Sequence, residues 1–152
     1  MIQPEQYKTI KQPKGSLICG AAVVAMATGS TLRQAYDAMW CTMHKEEGKP
    51  YFRTSELLKF LGAYGIYSGP LVSSEHGDLF DIASCSEVVL KCPMSLAAIM
   101  TVRSKTRSDW THYVFWDGEH VRDPHPGMPD TSNLKDYEVL DIMFLTYLEE
   151  LS

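Results

Sequence analysis

Cysteine is scarce in this chain, basic charge is not in excess, and no long apolar run or compositionally biased tract interrupts it. The four cysteines are Cys19, Cys41, Cys85 and Cys92. No two of them form a Cys-x-x-Cys pair, so neither a zinc site nor a dithiol redox motif is written in the local sequence. They read as free thiols of a reducing, cytoplasmic setting. Fourteen Lys plus Arg against nineteen Asp plus Glu leave a formal charge of -5. No global basic field exists to gather phosphates, and nucleic acid is not an expected partner. Repeats and Pro/Gly/Ser-rich linkers are absent, so residues 1–152 are expected to form one domain. The 45% hydrophobic and 22% charged content excludes disorder.

One segment imitates a secretory signal. Lys8, Lys11 and Lys14 precede the apolar run Leu17 to Ala27, which ends in the small-x-small pattern Ala25-Met26-Ala27. The run contains Cys19-Gly20 near its start and is only about half of the ~20 residues needed to span a bilayer. It is therefore read as part of the folded domain, and no membrane partner is expected.

The first part of the chain carries helical patterns. Cys19 to Thr28 is a small and apolar run stopped by Gly29, and Thr31 caps a second segment, Leu32 to Trp40. Thr54 or Ser55 opens a third, Glu56 to Leu61, stopped by Gly62 or Gly65. Ser84-x-x-Glu87 has the form of a capping box and predicts a fourth helix through Lys91, closed by Pro93. Later segments rich in β-formers, Met94 to Val102, His112 to Trp116, Glu119 to Asp123 and Leu140 to Tyr147, predict strands. Helices followed by an antiparallel sheet make an α+β domain.

Asp117-Gly118, set between Val114-Phe115-Trp116 and Glu119-His120-Val121, is a strong hairpin motif. A two-residue loop would pair Trp116 with Glu119 and, further along, His112 with Asp123. Opposed side chains share a face with Cβ atoms ~5 Å apart, which puts an imidazole within reach of a carboxylate. A three-residue bulged loop would instead bring Arg122 opposite His112. Cys19 opens a predicted helix, where unpaired N–H groups and the positive dipole end favour a thiolate. Beside His112 it would be an activated nucleophile, with Asp123 fixing the imidazole tautomer. The residues alone leave this reading open beside another, in which Cys19 is a buried helical thiol and His112 and Asp123 are a simple cross-strand pair.

Gln12, then Cys19-Gly20-Ala21-Ala22 opening a helix, then His112-Tyr113-Val114 on a strand, then Asp123-Pro124, resemble in this order the papain-like cysteine peptidases. The likeness is strongest to the small bacterial branch related to the peptidases that process double-glycine leader peptides of bacteriocins. It spans positions 12 to 123, most of the chain. The resemblance implies a papain-like α+β fold, with N-terminal helices packed on a C-terminal antiparallel β-sheet. It implies Cys19 as nucleophile, His112 as general base and acid, and Asp123 as the residue orienting His112. It further implies an oxyanion hole built from the Gln12 side-chain amide and the Cys19 backbone N–H. Two spacings depart from the family pattern. Gln12 lies seven residues before Cys19, one more than usual, so an extra residue must be absorbed around Lys14-Gly15-Ser16. The stretch from His112 to Asp123 is short, as a minimal hairpin would make it.

The remaining residues carry blander readings. His44, His76, His120 and His125 lack a His-x-x-x-His or Cys-x-x-His spacing, so they read as surface histidines and no metal or cofactor is expected. Cys41, Cys85 and Cys92 read as packed thiols. Asp123-Pro124-His125-Pro126-Gly127-Met128-Pro129 is a rigid loop that either walls the cleft or turns the chain. Trp110 reads as a shield for His112, a cleft residue or an ordinary aromatic. Arg103, Lys105 and Arg107 read as a solvated loop or a contact for an acidic partner.

Two function classes follow. The first is a cysteine peptidase acting on a peptide or isopeptide bond of a protein or peptide substrate, or a deamidase or acyltransferase using the same triad. The second is a binding or inhibitory module that keeps the papain-like fold and occupies the surface of a host or cellular protein. The small size suits a protein encoded by a phage or mobile element.

Overall fold

The computed structural model describes residues 2–43, 52–73, 96–105 and 110–148. Three helices, α1 (Cys19–Thr28), α2 (Leu32–Met43) and α3 (Thr54–Ala63), precede a sheet of β1 (Ile66–Ser73), β2 (Ala98–Arg103), β3 (Thr111–Trp116), β4 (Val121–Arg122) and β5 (Val139–Tyr147). The strand order is β1-β5-β2-β3-β4, with every pairing antiparallel. This is the α+β architecture expected.

Local chemistry sets the helix limits. Every residue of α1 from Gly20 to Ala27 is buried, because small side chains let α2, α3 and β3 close around it. Gly29 ends α1 in a left-handed conformation (φ 73°), and its N–H donates to the Ala25 carbonyl at 2.9 Å. Thr31 and Gln34 cap α2 reciprocally. The Gln34 N–H donates to Thr31 Oγ1 and the Thr31 N–H to Gln34 Oε1, at 3.1 and 3.0 Å. Glu56 Oε1 accepts the Arg53 N–H at 2.9 Å, so α3 starts at Thr54, two residues before the expected Glu56.

Side chains alternate across the sheet with period two. Ile99, Phe115, Met143 and Leu145 face α1 and α3 in one core cluster, which contains Val23, Leu57 and Leu61. Ala98, Met100, Val102, Val114, Trp116, Ile142 and Phe144 build a second cluster on the other face, together with Tyr137, Met128 and Leu134. Fully burying a large aromatic side chain contributes about 1.5–3 kcal/mol, so Tyr137 anchors the chain following β4 on the sheet, with the partly buried Met128 and Leu134 and the paired backbone bonds of Ser132 and Val121 beside it.

Several expectations need correction. β1 falls where no strand was expected, since Gly69-Pro70 breaks the pattern. These two residues lie at a register shift between Ser68 and Leu71, on an edge strand that tolerates them. Of the segment expected over Met94 to Val102, Met94 and Ser95 lie outside the described residues and the strand runs from Ala98 to Arg103, while the expected helix over Ser84 to Lys91 also lies outside the described residues. The strand expected over Glu119 to Asp123 contracts to Val121–Arg122.

The hairpin register differs from both loops considered. Trp116 pairs with Val121 and Phe115 with Arg122, leaving a loop of Asp117 to His120. The cause is Asp117, whose buried carboxylate closes a wider turn than the two-residue one. Its Oδ1 accepts the N–H groups of Glu119 and His120 at 2.8 and 2.7 Å, and its Oδ2 accepts Arg122 Nε at 2.7 Å. With the two side chains 0% and 12% exposed, this pair outweighs the local preference of Asp-Gly for a two-residue turn. The shift is by two positions and not one, so every side chain keeps its face.

Candidate active site

The site forms where the head of α1, the start of β3 and the chain leaving β4 converge. Cys19 is the first residue of α1 and is partly exposed. Ile18, at the N-cap, offers no side-chain cap to the amides of the first turn. Those amides keep their partial positive charge directed at the thiol.

His112 lies near the start of β3 with its side chain 15% exposed, and its Nε2 sits 2.7 Å from Asp123 Oδ1. In the observed register Asp123 continues β4 opposite Val114, so it meets His112 along a diagonal of the sheet, a separation that longer side chains bridge. The His112 pKa is raised to about 9. Burial alone would lower it. The hydrogen bond with Asp123, a hydrogen bond with Cys19 and the charges of both groups more than offset that cost. Since Nε2 is taken by Asp123, Nδ1 is the ring nitrogen left for the thiol.

Asp123 is 2% exposed, and burial alone would raise its pKa. Hydrogen bonding and charge from His112, then the His125 N–H and the Tyr137 hydroxyl, hold it below the usual carboxylate range. The His125 N–H donates to Oδ1 and the Tyr137 hydroxyl to Oδ2, each at 2.8 Å. Burial, followed by the Asp123 charge, pushes the Tyr137 phenol up and keeps it a donor. The carboxylate is thus oriented by donors on both oxygens.

Gln12 is buried, and its N–H donates to the Pro124 carbonyl at 2.8 Å, which ties it to the residue after Asp123. One proton of its amide goes to the Ser16 carbonyl at 2.7 Å, and a second remains on the same nitrogen. Between Gln12 and Cys19 the chain makes a turn from Pro13 to Ser16, closed by the Ser16 N–H on the Pro13 carbonyl, with Gly15 at φ 77°. Among the described residues, two buried atoms here, Gln12 Oε1 and Ser16 Oγ, have no hydrogen-bond partner.

Sequence reasoning missed Tyr137, His125 and Tyr113. Tyr137 lies in a turn after a proline-rich loop, and no local pattern marks it. His125 was read as a surface residue, yet it is half-buried with its ring centroid 6.4 Å from that of His112. Tyr113 bonds Thr54 Oγ1 at the head of α3 at 2.7 Å. Burial raises the Tyr113 pKa, and after the opposing Thr54 hydrogen bond the next cause is the charge of Cys19, which marks the phenol as a neighbour of the thiol. Trp110 stands 39% exposed just before β3. Of the other cysteines, Cys41 falls at the end of α2, while Cys85 and Cys92, like His44 and His76, lie outside the described residues. Among the described residues no cluster of three or more His, Cys, Asp or Glu is arranged to hold a metal ion.

No family model and no curated protein matches the sequence. Among solved structures the chain matches a double glycine motif protease from an AMS/PCAT transporter, crystallised in complex with the leader peptide. The TM-score is 0.56 at 15% identity, over 91% of this chain and 90% of that one. The likeness is one of fold, and it agrees with the papain-like architecture that the order Gln, Cys, His, Asp implies. Among the described residues no helix is long and apolar enough to cross a membrane.

Proposed function

We propose that the protein is a cysteine peptidase that hydrolyses a peptide or isopeptide bond of a protein or peptide substrate through Cys19, His112 and Asp123. The observation that carries this reading is the His112 imidazole, hydrogen-bonded to the Asp123 carboxylate at 2.7 Å and near enough to Cys19 for that residue to help raise its pKa. The peptide-bound state of the fold neighbour supports a peptide as substrate.

The chemistry runs as follows. With its pKa raised to about 9, the His112 imidazole already holds the thiol proton on Nδ1 at neutral pH, and the Cys19 sulfur attacks the scissile carbonyl carbon. The carbonyl oxygen takes up negative charge, stabilised by the Cys19 backbone N–H and the second amide proton of Gln12. Collapse of this intermediate breaks the C–N bond, the leaving amine takes the proton from His112, and a thioester remains on Cys19. His112 then accepts a proton from water, whose oxygen attacks the thioester, and returns the proton to the departing thiolate. Asp123 stays ionised throughout and stabilises the imidazolium. No cofactor takes part.

Iodoacetamide labelling followed by mass spectrometry tests this without a known substrate. Cys19 is expected to label much faster at neutral pH than Cys41, Cys85 and Cys92, and His112→Ala is expected to erase the difference. Cys19→Ala and His112→Ala should each abolish activity while leaving the fold intact. Equal labelling of all four thiols overturns the activated-thiol reading, and a Cys19→Ala variant with full biological effect makes the protein a binding or inhibitory module instead. Product masses separate hydrolysis from deamidation or acyl transfer.

A further inference from the structure

Lys11 makes contacts that the thiol chemistry does not use. Its Nζ donates to four main-chain carbonyls, those of Asp123 at 2.8 Å, His125 at 3.2 Å, Met128 at 2.7 Å and Pro129 at 3.2 Å. An ammonium has three protons, so these are shared among four acceptors, all from the single loop 123–129.

The sequence of the loop explains the need. Pro124, Pro126 and Pro129 have no N–H, which leaves the loop short of donors for its own carbonyls. Three of the four carbonyls, on Asp123, His125 and Met128, immediately precede a proline. Two of the loop's few N–H groups are directed to side chains, His125 to Asp123 Oδ1 and Gly127 to His125 Nδ1. The Met128 N–H serves the His125 carbonyl at 3.1 Å, and a cation delivered from the N-terminal segment supplies the remaining donors as charge-assisted bonds. The next residue repeats the connection, since the Gln12 N–H donates to the Pro124 carbonyl at 2.8 Å.

We propose that Lys11 is a positioning residue of the triad: its ammonium holds the 123–129 loop where the Asp123 carboxylate meets His112, and through Gln12 it keeps the oxyanion donor in register with that carboxylate. This rests on the peptidase reading above. Lys11 touches neither the thiol nor a substrate atom. It acts through the backbone of Asp123, whose side chain also faces His112, the His125 N–H and Tyr137.

The test uses the full chain and no substrate. Lys11→Met and Lys11→Ala are prepared, folding is checked by thermal melting, and two quantities are read: the His112 imidazole titration by NMR and the rate of Cys19 alkylation by iodoacetamide. In the unaltered protein the His112 midpoint lies near 9. Both variants are expected to lower it by about one pH unit or more, equivalent to a tenfold or greater loss of proton affinity, and to slow Cys19 alkylation at neutral pH. n-Propylammonium, which replaces the atoms missing from Lys11→Ala, should restore the midpoint, whereas tetramethylammonium, which has no N–H, should not. Folded variants with an unchanged midpoint overturn the proposal. So does loss of folding in both, which would make Lys11 a general strut. If Cys19 of the unaltered protein labels no faster than the other thiols, the peptidase reading fails instead, on a measurement that needs no Lys11 variant.

Discussion

Nε2 of His112 and Oδ1 of Asp123 lie 2.7 Å apart, although the two residues are not partners in the β3–β4 ladder that carries them toward each other. The contact is diagonal, and its geometry depends on where the chain turns after Arg122. That dependence explains why so many groups converge on Asp123. One oxygen takes the His125 N–H as well as the imidazole, the other takes the Tyr137 hydroxyl, and the main-chain carbonyl takes Lys11.

Asp123→Asn tests the charge of that contact at constant shape. The amide can still bond the imidazole, but it can donate as well as accept, and it no longer favours the imidazolium. The His112 midpoint is expected to fall from about 9 toward the ordinary imidazole value. If the peptidase reading holds, turnover should drop by about 10⁴-fold, the loss that follows when the acid of a Ser-His-Asp triad is neutralised. NMR titration of the imidazole checks the first effect. A variant that retains a midpoint near 9 would show that Cys19 alone sustains the imidazolium.

The same pair sets a pH window for stability. His112 has a folded-state pKa of about 9 against 6.5 for the free imidazole. The folded protein therefore binds more protons between those values, and stability falls as pH rises through them. Asp123 is shifted the other way, downward. Its contribution is present above the ordinary carboxylate range and is lost as acid carries the solution through the depressed value. The pair is expected to contribute most between about pH 4 and 6.5, and its alkaline loss is of order 3 kcal/mol, counted once for the two partners. Denaturant unfolding at a series of pH values, compared with His112→Gln, isolates the effect. The difference between the two proteins should shrink from pH 6.5 toward pH 10, and a constant difference contradicts it.

Tyr137→Phe removes the donor on Asp123 Oδ2 and leaves the ring, which packs in the second core cluster with Lys105 Nζ 4.4 Å from its centroid. Because the lost bond is to a buried carboxylate, the expected cost is about 1.5–3 kcal/mol. The Asp123 pKa should rise, moving the acid limb of the stability curve to higher pH. Urea midpoints at neutral and acid pH measure both. A loss of stability with no movement of the acid limb would assign Tyr137 to packing alone.

These residues also mark how far the sequence was legible. The run from Cys19 to Gly29 names its helix, because small side chains, a stop glycine and the following Thr31 cap are local facts. The order of Gln12, Cys19, His112 and Asp123 points to the fold in another way, through its resemblance to the papain-like peptidases and not through local chemistry. The hairpin register was not legible. Asp117-Gly118 has the local form of a tight turn, but Asp117 is committed to Arg122, whose guanidinium also reaches Thr9 and the Pro4 carbonyl. Arg122 lies within any window around Asp117, but the contacts that bury and hold its guanidinium come from residues more than a hundred positions away, and no local window contains those. Tyr137 and Lys11 were hidden likewise, one in a turn without periodicity and the other among lysines that resemble the start of a secretory signal. β1 was hidden by Gly69-Pro70, which punctuates most sequences but sits here at an edge-strand irregularity.

Gly20, the residue after Cys19, gives the last prediction. A Cβ at this position would lie 3.1 Å from Leu57 Cδ2 and 3.3 Å from Phe52 Cβ, so α1 approaches α3 and Phe52 too closely for a methyl group without movement. Alanine would gain about 1 kcal/mol of helix propensity. Overpacking costs typically about 1–3 kcal/mol, and with two contacts this tight the cost wins. Gly20→Ala is expected to lose about 1 kcal/mol net and to shift the head of α1, slowing Cys19 alkylation. Gly29→Ala at the other end of the helix is the control. Its φ of 73° strains any L side chain, yet a Cβ there meets nothing within 4 Å. It should therefore cost a similar ~1 kcal/mol, typical of a left-handed residue other than glycine, while leaving the thiol as reactive as before. Equal slowing of Cys19 in both variants would mean that the thiol responds to helix stability in general and not to the placing of its own turn.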